Sequence, residues 1–136
     1  MYFGLSEEQQ SLQDNIKKYL EDNAPLENIK DVASGDTSKA EEIHKGLLEL
    51  GISGLLVPEQ FGGLELDMLF ASVVAGVLGS GTAPVPYAGA YVMAPIALTL
   101  AGSESQKETW LPKIAGGEKV IGIGISEFVG AREDAA

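Results

Sequence analysis

From residue 68 to residue 103 the chain carries no charged side chain. An uncharged stretch of that length either crosses a membrane, for which about 20 apolar residues suffice, or folds back on itself as buried helices. Gly79, Gly81, Pro84, Pro86, Gly89 and Pro95 decide between the two. Glycine and proline interrupt helical continuity, and they cut the run into pieces too short to span. No membrane span is expected. Instead the pattern predicts two helices, over 68–79 and 87–100, with Pro95 kinking the second or splitting it. The first is apolar on every side, which predicts a place in the middle of a helical bundle. Its Ala71, Ala75 and Gly76 are small enough for a neighbour to approach closely.

The segments before this run read as helices too. Ser6 followed three residues later by Gln9 is a capping-box pattern, and it predicts a first helix over 5–24 with Leu5, Leu12, Ile16, Tyr19 and Leu20 on one face. Pro25 opens a short second helix that points Leu26, Ile29 and Val32 inward. Ser34-Gly35-Asp36 breaks it. Thr37 or Ser38 starts a third, with Ile43, Leu47 and Leu50 on its inner side. His44, the only histidine, lies beside Glu41, Glu42 and Lys45 and reads as a solvated helix residue. Gly51 is placed to cap that helix, since glycine enters the left-handed region without penalty. Residues 51–66 then form a tight, glycine-dependent connection, and Asp67 caps the helix that follows.

After the uncharged run, Ser103 and Gln106 repeat the capping-box pattern. They predict a helix with Trp110, Leu111 and Ile114 on its inner face and Pro112 disturbing its last turn. The period then changes. Ile121, Ile123 and Ile125 alternate with Gly122 and Gly124, which predicts a strand whose glycines let a flat group lie close to the backbone. A lone strand has no partner. The fold class is therefore all-α, a helical bundle over 1–118, with a C-terminal strand in 119–136 beginning a truncated β domain. The chain, which runs to Ala136, is expected to be the front part of a longer protein.

Composition excludes several function classes. A chain of 136 residues with 45% hydrophobic content can bury a real core. Without a single cysteine it can hold no disulfide, thiolate metal site or cysteine nucleophile. The absence is compatible with the cytoplasm or another reducing compartment. A net charge of −11 argues against nucleic acid as a partner. No set of residues has the chemistry to run a reaction unaided. Acidic pairs such as Glu7/Glu8 and Glu41/Glu42 read as solvated helix faces, and no metal site is expected.

Two runs point further. Gly54-Leu55-Leu56-Val57-Pro58-Glu59-Gln60-Phe61-Gly62-Gly63-Leu64 resembles the signature of the acyl-CoA dehydrogenase N-terminal domain. The run from Gly102 through Gln106-Lys107, Trp110-Leu111-Pro112 and Ile114-Ala115 to Gly117-Glu118 is similar to a second motif of that family. The likeness covers nearly the whole chain.

The resemblance implies a FAD-dependent dehydrogenase in which a glutamate takes a proton beside an acyl-CoA thioester while the next carbon passes hydride to flavin N5. Electrons then go to an electron-transfer flavoprotein. The family's base lies in its C-terminal domain. It is therefore expected beyond Ala136, and no residue of this chain is nominated as catalytic. The resemblance implies acyl-pocket wall at Tyr91 and Ala94, and flavin contact at Ile123, Ile125 and Ser126. The apolar helices predict self-association, as a homo- or hetero-oligomer, once the rest of the protein is present. The family continues after its glutamate as Glu-Pro-Gly-x-Gly-Ser-Asp, whereas this chain reads Glu127-Phe128-Val129-Gly130-Ala131-Arg132-Glu133-Asp134. That departure suits a non-catalytic subunit of a heteromeric dehydrogenase or a divergent member. A stand-alone helical interaction domain is the third reading.

Overall fold

The computed structural model describes residues 4–124. Among them the secondary structure is helical: α1 (Glu7–Asn23), α2 (Leu26–Ala33), α3 (Thr37–Glu49), α4 (Met68–Ser80), α5 (Ala94–Ala101) and α6 (Glu104–Ala115). A 3₁₀ turn at Glu59–Phe61 and a π-helical turn at Ala88–Met93 complete the order.

The helix starts follow the capping chemistry. Ser6 Oγ accepts from Gln9 N–H at 3.2 Å, and Gln9 Oε1 accepts from Ser6 N–H at 3.0 Å. Ser103 and Gln106 repeat the arrangement at α6. Asp36 caps α3, and Asp67 caps α4 by accepting from Leu69 N–H at 2.9 Å. Each carboxylate or hydroxyl satisfies amides that the first helical turn leaves unpaired.

The core forms where α1 lies chiefly on α4, with α3 against α1 and α6 paired with α5. Ile16 and Leu20 of α1, Ile43 and Leu47 of α3, Val74, Val77 and Leu78 of α4, and Leu111 and Ile114 of α6 are buried together. Tyr19 extends this packing: its hydroxyl donates toward the Ile43 carbonyl at 3.3 Å. Gly46 makes room for it, because a Cβ there would overlap the Tyr19 side chain.

The connection between α3 and α4 is a folded loop. Gly51 takes φ +83° as expected of a cap. Leu64 N–H donates to Gly54 O at 2.9 Å, Leu66 N–H to Leu55 O at 2.8 Å and Glu65 N–H to Val57 O at 3.0 Å. Ser53, buried at the start of the loop, donates to the Ala115 carbonyl at 2.8 Å and ties it to the end of α6. Glu65 holds the left-handed region at φ +49°, and its carboxylate accepts the Glu59 amide at 3.0 Å. That bond offsets part of a backbone strain glycine would not feel.

Four expectations change. α4 is not central: Ala71, Val74, Val77 and Leu78 are buried, but Leu69 is 65% exposed and Ser72, Ala75 and Gly76 lie open. A helix that is apolar all round has no preferred face in its sequence, so contact with α1 chooses it. Leu26, at the first position of a two-turn helix, is 64% exposed rather than inward, while Ile29 packs against the core and Val32 is half-buried. Trp110 is 38% exposed, because Leu111 and Ile114 already fill the inner side of α6. His44 is half-buried rather than solvated.

Pro95 splits the predicted 87–100 helix in a specific way. Without an N–H it cannot continue the α-helical ladder. The backbone answers with a wider turn just before it, in which Ala94 N–H bonds to Gly89 O, five residues back. Helical continuity resumes in α5.

Residues 121–124 carry no regular secondary structure. Ile121 and Ile123 are half-buried against the core, while Gly122 and Gly124 are exposed. The rest of the expected strand, Ile125, Ser126 and Glu127, lies outside the described residues, as does everything from there to Ala136. Among the described residues no helix is long and apolar enough to cross a membrane.

Candidate functional site

Along α5, Ala94, Ala97, Leu98 and Ala101 recur at the spacing that puts residues on one helical face. Three of the four are alanines, so the face is recessed. Across from it stand Gln106 and Trp110, one turn apart on α6, and the segment 121–123 closes a third side. The result is an apolar groove of about 460 Å³. Lys113 lies 5.2 Å from the centre of the Trp110 ring and holds the indole by a cation–π contact.

The chemistry of this groove is one of shape. Among the described residues no titratable side chain lines it. Of the described lining residues, Gln106 already has its carbonyl oxygen engaged by the Ser103 amide at 2.8 Å, and Trp110 offers only an indole N–H. Such walls exclude water and accept apolar matter but cannot take or give a proton. Among the described residues no group of His, Cys, Asp or Glu gathers to hold a metal.

Of the residues singled out from sequence, Ala94 and Ile123 meet on this groove. Tyr91 does not line it. Its side chain is wholly buried, and its hydroxyl lies 2.8 Å from His44 Nε2, with the two rings 5.8 Å apart and tilted by 44°. Ile125 and Ser126 are outside the described residues. The expected base, placed beyond Ala136, falls outside them as well, and no described side chain on the groove has the chemistry to stand in for it. Ala97 and Leu98 lie within the 87–98 helix that the resemblance assigns to the wall, whereas Ala101, Gln106 and Trp110 are lining residues beyond it. The spacing of alanines after Ala94 was the available signal for Ala101. No local signal separates a groove-facing Trp110 from a core one.

Burial also acts on ionisation. Tyr87 is buried, donates to the Ala71 carbonyl at 3.3 Å, and is held well above the usual phenol range by loss of solvent. Partial burial lowers the His44 imidazole below its ordinary 6.5, because desolvation penalises the charged form. The unfolded chain therefore takes up this proton first, and stability contributed by neutral His44 is lost as pH falls below that ordinary value. Melting temperature should drop on acidification from neutral pH, and His44→Phe should flatten the slope just below pH 6.5. An unchanged slope in the variant would remove His44 from the effect.

Comparison with known proteins decides the family. The model of the acyl-CoA dehydrogenase N-terminal domain matches residues 6–118. The chain belongs to this family. Relatives of the acyl-CoA dehydrogenase domain include the mitochondrial isovaleryl-CoA dehydrogenase of Pongo abelii, 31% identical over 91% of this chain and 30% of that protein. The (2S)-methylsuccinyl-CoA dehydrogenase of Cereibacter sphaeroides is 33% identical over 85% of this chain and 21% of its own length. The chain thus spans a third or less of these relatives.

Solved structures agree on the fold. An acyl-CoA dehydrogenase complexed with FAD from Bacillus anthracis superposes with a TM-score of 0.75 at 24% identity, over 85% of this chain and 20% of that one. A chain described as the electron transferring flavoprotein of Acidaminococcus fermentans gives 0.65 at 27% identity, over 88% and 32%.

Proposed function

We propose that this chain is the N-terminal part of a FAD-dependent acyl-CoA dehydrogenase that introduces the α,β double bond of an acyl-CoA thioester. In this reading residues 1–118 form the helical domain, and 119–136 begin a β domain. The observation that carries it is the groove in which Ala94 of the acyl-wall helix and Ile123 of the flavin-contact segment face one apolar space.

The chain's own contribution is to shape and dry that space. The alanine face of α5 leaves room for hydrocarbon, and Trp110 shields one side. Gly122 and Gly124 are exposed, with nothing among the described residues within 4 Å of a Cβ at either, which leaves open space beside this segment for a planar partner. FAD, when bound, supplies the hydride acceptor. Tyr91 supports the wall from within the core, Ile125 and Ser126 extend the flavin contact, and the base comes from beyond Ala136 in the whole protein. Electrons leave to an electron-transfer flavoprotein, and the whole protein is an oligomer.

The departure after Glu127 favours a second reading, a subunit of a heteromeric dehydrogenase without its own flavin. Spectroscopy of the whole protein separates the two. The first reading expects visible flavin absorbance that bleaches when acyl-CoA is added without oxygen, and no turnover by this chain alone. A colourless whole protein that cannot be reconstituted with FAD would sink it.

A further inference from the structure

His44 and Tyr91 are 47 residues apart in sequence and are joined at 2.8 Å. The first sits on the half-buried side of α3 and the second is fully buried inside the π-helical turn. That turn is the irregular part of the helix leading to the groove, and Pro95 immediately after it leaves the backbone with one fewer internal bond. A π turn closes a looser ring than the α-helix and persists only where its surroundings hold it. Its Ala94 N–H to Gly89 O bond sets where α5 begins, and α5 then places Ala94, Ala97, Leu98 and Ala101 along the groove.

We propose that His44 is a positioning residue for the groove wall: through the Tyr91 hydroxyl it fixes the π turn, and through the turn it fixes the start of α5. The hydrogen bond is the one polar link from the Tyr91 side chain to another helix among the described residues. The tilted ring contact restrains the same pair without directing it as the bond does. A buried hydroxyl without its partner costs more than the bond itself contributes, so the pair has one well-defined arrangement. Its bearing on an acyl ligand rests on the reading above; its bearing on the turn does not.

The chain carries one histidine and one tryptophan, and both report on this device. Amide exchange by NMR on the intact chain reads the turn at Ala94, with Leu47 as the core reference, and Trp110 emission reads the groove. Tyr91→Phe removes a single oxygen and keeps the ring, so it retains the fold even if His44→Phe does not. In both variants the Ala94 amide should exchange roughly tenfold faster relative to Leu47, the factor expected from losing one hydrogen bond, and Trp110 emission should shift. His44→Gln, whose amide reaches the place of Nε2, should restore both. Ala94 exchange that keeps step with Leu47 in Tyr91→Phe, or a His44→Gln chain that behaves as His44→Phe, would overturn the proposal. Neither readout needs flavin or acyl-CoA, so failure here is distinguishable from failure of the dehydrogenase reading.

Discussion

Replacing Gly63 by alanine should cost about 3 kcal/mol or more, a large part of a small domain's stability. A Cβ built there lies 1.9 Å from the Val57 carbonyl oxygen and 2.5 Å from its carbon. These are backbone atoms, so no rotamer change relieves the overlap. Val57 is wholly buried and cannot swing outward. Its carbonyl also accepts the Glu65 amide at 3.0 Å, so moving it breaks a second interaction. The neighbouring Gly62 is the control. It needs its glycine for conformation, at φ +83°, and a Cβ there meets nothing within 4 Å. Gly62→Ala should cost only the left-handed penalty of about 1–2 kcal/mol. Urea unfolding of both variants tests the pair. A Gly63→Ala midpoint equal to that of the parent chain would show that the loop relaxes freely.

Tyr91→Ala should be comparably severe, at about 3–5 kcal/mol, the range for deleting a buried aromatic side chain. Tyr91 has no exposed surface and packs in the same core as Ile16, Leu47 and Leu111. The lost ring leaves a cavity that the surrounding helices fill only in part. Truncation also strips His44 Nε2 of its partner. Tyr91→Phe separates the two contributions, because it removes the bond and leaves the packing, and should cost about 1 kcal/mol. The same urea midpoints measure both. If Tyr91→Ala lost no more than Tyr91→Phe, the ring would not be carrying core packing, and Tyr91 would have to be reassigned to an open surface.

Much of the fold was legible because its signals are local. A capping box binds residues three apart, so Ser6 with Gln9 and Ser103 with Gln106 announced α1 and α6 without reference to anything distant. Asp67 and Gly51 marked their helix ends for the same reason. The break at Pro95 was also foreseeable, since a missing amide hydrogen is a property of the residue itself.

The site was less legible, and the reasons differ by residue. Ala94 and Ile123 carried family resemblance, but only folding put them on one groove. Trp110 has an apolar ring that serves a core and a groove equally well, so its 38% exposure depended on what Leu111 and Ile114 had already filled. His44 reads as solvated because its charged neighbours lie on its own helix, while its partner comes from a distant one.

By itself the sequence determined the capped ends of α1, α3, α4 and α6, that no disulfide forms, and which family the two glycine-rich motifs resemble. Those properties depend on bonds between near neighbours or on residues simply being present or absent. Tertiary structure alone decided which face of the uniformly apolar α4 is covered, that His44 meets Tyr91, and that a recessed alanine face opens opposite Trp110. Each is a choice among contacts of similar local energy, and only packing between distant segments makes one of them lowest.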